Sequence, residues 1–400
     1  MFGLRHATLM ATKQRPQKSH CGYVKRALTP STKNREAPLY GAEPNAHIFQ
    51  RHRNVSLPSK ASNGLPTFAL KSSLLAVSSL HRDGLQDLAF RYKIAAINTL
   101  AESAKSGPPG APESAQHAAA CMLLATFEIQ HHSESSGQWV FYVRGAKHII
   151  QTTGLDERSE AELNPLLDWI YYLDIMSWFV MRHWRHSSTL PQSTTDTIAP
   201  ARGKWPLLLN RTQSVRKVLD PIAAILDILV EPHDPRAKTV EYQSQLIQLE
   251  GTLIDKLMLK TTITESDAEE DIITELYRLA TLVYLCCGSA SPCIRDRRLD
   301  ALIDRGFYLI KKLNTCERTF PLILLGSEAR NDEERMVLLE LIQRTEASHN
   351  DSNLMRTKTG LAMLWSQRDL EADEDEYSDL SYLRRMDTVI SSACTLPFFS

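Results

Sequence analysis

From about Thr67 onward, apolar residues recur three and four positions apart, the spacing that lays one face of an α-helix against a core. The pattern predicts helices over 67–80, 84–104, 113–132, 138–152, 165–186, 212–230, 239–260, 267–287, 291–314, 331–347, 351–366 and 378–392. Strand-type alternation is scarce and no strand–helix–strand rhythm occurs, so the expected fold is all-α, a multi-helix domain over 67–400. Asp83 suits an N-cap, and Gly154, Gly288 and Gly360 fall at expected helix ends or breaks. Two stretches, 106–114, rich in Pro and Gly, and 187–204, polar with Pro191 and Pro200, read as loops, the second either a division of the body or a surface excursion. Before Thr67 nothing repeats at helical spacing and Pro16, Pro30, Pro38, Pro44, Pro58 and Pro66 interrupt the chain, so residues 1–66 are expected to be a disordered arm.

Charge sharpens that division. Residues 1–60 carry eleven Lys/Arg against only Glu36 and Glu43, a local balance of +9 in a 400-residue chain whose net charge is −1. The body is therefore acidic by about ten charges. A basic, proline-containing arm suits a nuclear-import signal, contact with a polyanion, or a mitochondrial transit peptide, and composition leaves all three open. Seven cysteines with no C-x-x-C pair make neither a disulfide framework nor a zinc module, which points to a reducing compartment. No apolar run reaches the roughly 18 residues of a membrane span, the stretch 169–180 being broken by Asp174 and Ser177. No apolar signal core follows Met1.

Motifs for chemistry are sparse: there is no Gly-rich phosphate loop, G-x-S-x-G elbow or H-E-x-x-H. Glu128-x-x-His131 and Glu346-x-x-His349 repeat the spacing that puts a carboxylate and an imidazole on one helical face, as in di-iron bundles. Both imidazoles fall at expected helix ends beside polar loops, so they read as solvated residues, with an all-α metal-dependent enzyme or helical binding protein as the alternative. Cys286, Cys287 and Cys293 read as small hydrophobes rather than a thiolate cluster. Arg182, His183, Arg185 and His186 around Trp184 read as cations at a helix C-terminus, or else as an anion site.

Several blocks carry a resemblance. Glu128 within Leu123–Ile129, then Gly137, Gln138 and Trp139, then Tyr142-Val143-Arg144-Gly145-Ala146-Lys147-His148 form the first. Leu276-Tyr277-Arg278-Leu279-Ala280 fits between it and the later ones. Phe320-Pro321-Leu322, Gly326, Glu328-Ala329 and Arg335 form another, and Trp365, Arg368 and Asp369 the last. In order and spacing they resemble the fungal-specific transcription factor domain, the helical regulatory region found behind a zinc binuclear cluster. One departure is Tyr142, where many relatives carry histidine.

The resemblance implies a nuclear transcription regulator of metabolic or secondary-metabolite genes. It implies no catalytic residue, no cofactor, no metal and no membrane association, and a body that forms homo- or heterodimers with other regulators. The block residues themselves read as scaffold. Gly145-Ala146 beside Trp139 suggests a close helix approach that Gly145→Val would overpack, Glu328 suits pairing with Arg335, and Arg368-Asp369 suits closing a helix end. The zinc cluster is the serious departure, because the arm holds one cysteine, Cys21, followed by Gly22-Tyr23-Val24-Lys25-Arg26 as after a final zinc ligand. Either a finger has been lost or the reading frame starts upstream. As written, the chain is expected to contact DNA only weakly, or through a partner regulator.

Overall fold

The computed structural model describes residues 64–80, 82, 85–105, 110–131, 137–157, 161–184, 213–230, 234–258, 269–289, 299–348, 352–373, 382–392 and 397–398. Among the described residues there are thirteen α-helices and no strand. These are α1 (Leu65–Leu80), α2 (Gln86–Ser103), α3 (Ala111–Gln130), α4 (Gln138–Thr153), α5 (Asn164–His183), α6 (Gln213–Ile228) and α7 (Val240–Met258). There follow α8 (Glu269–Gly288), α9 (Leu299–Lys312), α10 (Thr319–Gly326), α11 (Asp332–Ser348), α12 (Ser352–Asp373) and α13 (Tyr382–Ser392). Short 3₁₀ turns lie at Leu155–Glu157, Ala161–Leu163 and Pro235–Lys238. The all-α expectation holds. The residues 1–63, the loop 187–204 and the cap Asp83 lie outside the described residues.

The N-terminal part is built from α1 packed on α2 and α3, and α3 packed on α4. Small residues allow it: α1 buries Ala69, Ser72, Ser73, Ala76 and Ser79, a face on which two helix backbones can approach closely. The chain then passes through α4 and α5 to α8, which packs on α6, α9, α10 and α13. The last helices close around α10, which touches α11 and α12 as well as α8. One continuous core runs from Ala69 to Phe398, and Ala76, Ala89, Tyr92 and Phe127 form a smaller one under α1 and α2.

The boundaries move for local reasons. α1 starts at Leu65, two residues earlier than the periodicity suggests, because Pro66 in a first turn needs no N–H partner. α3 starts at Ala111 inside the expected loop, with proline in its first turn and Gly110 before it. Gly154 ends α4 as expected, in the left-handed conformation at φ +63°. Gly360 does not break a helix. It lies inside α12, where a Cβ would meet Ile323 Cδ1 at 3.4 Å and Val389 Cγ1 at 3.5 Å, so its smallness serves packing rather than a turn. α12 also runs on to Asp373 instead of stopping near 366. The apolar run after Pro321, read as a short buried segment, is the helix α10.

Candidate functional site

The C-terminal blocks converge on one place, the end of α10. All eight residues of this helix are buried, including Pro321 in its first turn, so its terminal carbonyls need protein partners. Trp365 Nε1 donates to the Gly326 carbonyl at 2.8 Å, and Arg368 Nη1 donates to the carbonyls of Ser327 at 3.1 Å and Ala329 at 3.3 Å. The guanidinium also places positive charge at the negative end of the helix dipole. Arg368 therefore closes a helix end, as expected, but that of α10 rather than its own. Gly326 is required by contact: a Cβ would lie 2.6 Å from Leu361 Cδ2 and 2.9 Å from Leu338 Cδ1.

The expected Glu328–Arg335 pair does not form. Glu328 faces Arg368 at 3.8 Å and Arg385 of α13 at 4.0 Å, whereas Arg335 donates two hydrogen bonds to Asp369, at 2.9 and 2.5 Å. The reason is the length of α12, which carries Arg368 past Glu328 and Asp369 past Arg335 on neighbouring turns. The Arg335 guanidinium also lies 5.6 Å from the Trp365 ring centroid, a cation–π contact. Gly326, Glu328, Ala329, Arg335, Trp365, Arg368 and Asp369 thus form one joint between α10, α11, α12 and α13, with Pro321 at the other end of α10.

The first block serves α3 and α4. Glu128 is not a solvated helix-end residue: it is 1% exposed and its carboxylate meets Lys93 Nζ at 2.5 Å. The same ammonium lies 5.3 Å from the Phe127 ring centroid and 5.9 Å from that of Phe90. Burial raises the Glu128 carboxyl above its ordinary range, against the opposing pull of Lys93. His131 does not join it as a ligand pair, since its ring stacks on Phe127 at 5.8 Å and meets Phe90 edge-on at 4.8 Å. Glu346 is half-buried on α11, and His349 lies outside the described residues. Among the described residues no group of three metal-ligating side chains assembles.

Ala146 is fully buried, but Gly145 is not the tight contact expected, because a Cβ there would meet only Cys121 Sγ at an ordinary 3.9 Å. Trp139, 1% exposed, packs edge-to-face on Phe398, with ring centroids 5.3 Å apart. Cys21, Arg185, His186 and Cys293 lie outside the described residues.

Three features escaped sequence reading. His183 is not an exposed helix-end cation. It is 1% exposed, with Nδ1 2.7 Å from Asp387 Oδ1 and Nε2 2.8 Å from Tyr284 Oη, and it joins α5, α8 and α13. Ser391 Oγ adds a hydrogen bond to the His183 carbonyl at 3.2 Å. Lys147 Nζ donates to the buried Asp174 Oδ2 at 2.5 Å and ties α4 to α5. Asp174 did carry a signal, since a carboxylate inside an apolar helix face needs a partner, but nothing along the chain names Lys147. Arg182 donates to the carbonyls of Leu226 at 3.1 Å and Leu229 at 2.5 Å, closing the end of α6.

These groups hold helices together. Burial pushes the Cys121 thiol up to about 12 and Cys316 up to about 11, which keeps both protonated and unreactive near neutrality. Cys286 is buried as a small hydrophobe. Burial also raises the phenols of Tyr277 and Tyr382.

Comparison with known proteins agrees with the blocks. The model of the fungal specific transcription factor domain matches residues 26–391. "Transcription factor iacI" of Pestalotiopsis fici is 29% identical over 339 residues, covering 83% of this chain and 84% of that protein. No solved structure matches. With the family's pattern running from before α1 to the end of α13, the chain belongs to the fungal specific transcription factor domain family and is a fungal transcription regulator.

Proposed function

We propose that the chain acts in the nucleus as a non-catalytic regulator of a metabolic or secondary-metabolite gene set, and that its helical body works by contact with other regulators. The observation that carries this reading is the family match over residues 26–391. The relative from Pestalotiopsis fici, itself named a transcription factor, supports it. So does the use made of the charged block residues, which close helix ends and pair across helices instead of facing a substrate. The alternative of a metal-dependent helical enzyme is weakened by Glu128, whose carboxylate is taken by Lys93. Two iron or manganese atoms per purified chain would revive it. The direct test of regulation is to fuse the full chain to an unrelated DNA-binding module and read a reporter carrying that module's sites. Transcription should rise or fall relative to the module alone, and no change in either direction overturns the proposal.

DNA contact by these 400 residues is proposed to be weak and carried by the basic residues 1–60. If about five of the eleven cations meet phosphates, the logarithm of affinity should fall with the logarithm of salt at a slope of about −4 to −5. Dissociation constants at physiological salt should lie near 10⁻⁴–10⁻⁶ M on random duplex, to order of magnitude, and deletion of residues 1–60 should abolish binding. Nanomolar, sequence-selective binding by the deleted protein would place recognition in the helical body.

A further inference from the structure

Helix α7 carries two apolar seams. The inner one, Tyr242, Leu246, Leu249 and Leu253, belongs to the core, and α7 packs on α6 and α8. The outer one, Val240, Ser244, Ile247, Gly251 and Ile254, recurs four and three positions apart, the spacing of a seam between two paired helices. Val240 is 76% exposed and Ile247 54% exposed, Ser244 and Gly251 are exposed, and Ile254 is half-buried. Gly251 relieves no contact within the chain, since a Cβ built there would meet nothing within 4 Å, and its φ is not in the left-handed region. Glycine weakens a helix interior, so here it lowers helix stability with no packing reason among the described residues. What it does permit is the close approach of another backbone.

Charge indicates which backbone. The residues after 60 carry about ten net negative charges, so two copies of the body repel over much of their surface. Across residues 240–254 the exposed positions hold one charge, Glu241, and the seam is flanked by neutral Gln245, Gln248 and Thr252. Loss of charge at the centre of a patch is what marks a protein interface. We propose that the outer face of α7 is a self-association surface, on which α7 of a second copy of this chain lies antiparallel. A two-fold pairing of this kind sets each Ile247 opposite Gly251 of the second copy and each Ile254 opposite Ser244, branched side chains against small ones. One face of a 19-residue helix, about 28 Å long, supplies less than the roughly 800 Å² per partner of a standard interface, so the dimer should be weak and reversible. The proposal rests on the regulatory reading for its purpose, because it makes a second copy the partner of the body. Self-association is measured without a promoter, so its failure and the failure of that reading are distinguishable.

The test is sedimentation equilibrium of the full chain, of Ile247→Glu and of Gly251→Lys, at physiological salt. The parent chain should show a monomer–dimer equilibrium with a dissociation constant on the order of 10–100 µM. Each variant alone should dimerise at least about tenfold more weakly, one by bringing two carboxylates to the two-fold axis and the other by filling the gap at Gly251. An equimolar mixture of the two should dimerise more tightly than either alone, because antiparallel pairing sets the introduced charges, which are opposite, against each other. Lysine is a better helix former than glycine, so the melting temperature of Gly251→Lys should equal or exceed that of the parent, which separates lost association from lost folding. A parent chain that stays monomeric up to about 1 mM, an unchanged dissociation constant in either variant, or a mixture no tighter than its components overturns the proposal. So does a lower melting temperature of Gly251→Lys, which would show that Gly251 packs within its own chain.

Discussion

At Gly326 the end of α10 comes so close to α11 and α12 that a methyl group would stand 2.6 Å from Leu361 and 2.9 Å from Leu338, both fully buried. Both leucine methyls must shift within fully buried surroundings, so Gly326→Ala should cost about 1–3 kcal/mol. Gly145→Ala adds a Cβ with ordinary contact only, and the better helix propensity of alanine should hold stability or raise it by up to about 1 kcal/mol. Thermal unfolding of the two variants compares them directly, and equal losses would show that the α10 joint is no tighter than the α4 packing. The sequence shows two glycines in family blocks but not which one faces a neighbouring helix at contact distance. Glu128 poses a similar problem. Its folded-state carboxyl is raised above the ordinary value of 4.5, so the folded protein binds the extra proton and stability falls as pH climbs from about 4.5 through the raised value. Glu128→Gln lacks that loss. The stability of Glu128→Gln minus that of the parent, from urea unfolding at pH 5 and pH 7, should grow with pH; a constant or shrinking difference sinks the assignment.

Among elements, α10 depends most on its neighbours. Eight residues are too few to hold a helix in water, and this one survives because Trp365 and Arg368 take its last carbonyls and every residue is buried. Removing the donors should therefore matter more than removing the nearby surface pair. Arg368→Met is expected to cost about 1–3 kcal/mol by leaving carbonyls unmet and Glu328 short of a cation. Asp369→Asn should cost less than about 1 kcal/mol, because the Asp369 side chain is 57% exposed and water screens its pairing with Arg335. Urea midpoints rank the two, and a larger loss in Asp369→Asn would reverse their roles. The length of α12 was hidden for the same physical reason. After Trp365 its apolar pattern fades, and the helix continues because Arg368 and Asp369 find partners on other elements.

In the whole molecule, the described helical body starts at Leu65. The sequence before Leu65 shows no apolar periodicity at helical spacing, while the described body buries one core from Ala69 to Phe398. Limited proteolysis should trim the chain to about residue 65 and leave a stable helical product, seen by mass spectrometry and circular dichroism. Early cleavage inside α3, α5 or α8 would mean that the core is not one cooperative unit.

The sequence alone determined the helical class, most helix positions and the family, because these rest on near-neighbour periodicity and on the order of blocks along the chain. It showed Asp174 interrupting an apolar stretch, without its burial or its partner. The tertiary structure decided which residues meet: Lys147 with Asp174, Lys93 with Glu128, His183 with Asp387 and Tyr284, and Arg335 with Asp369 in place of Glu328. Each of these contacts joins residues on different helices, and their choice depends on how the helices are packed and turned, a property of the core as a whole that no local pattern encodes.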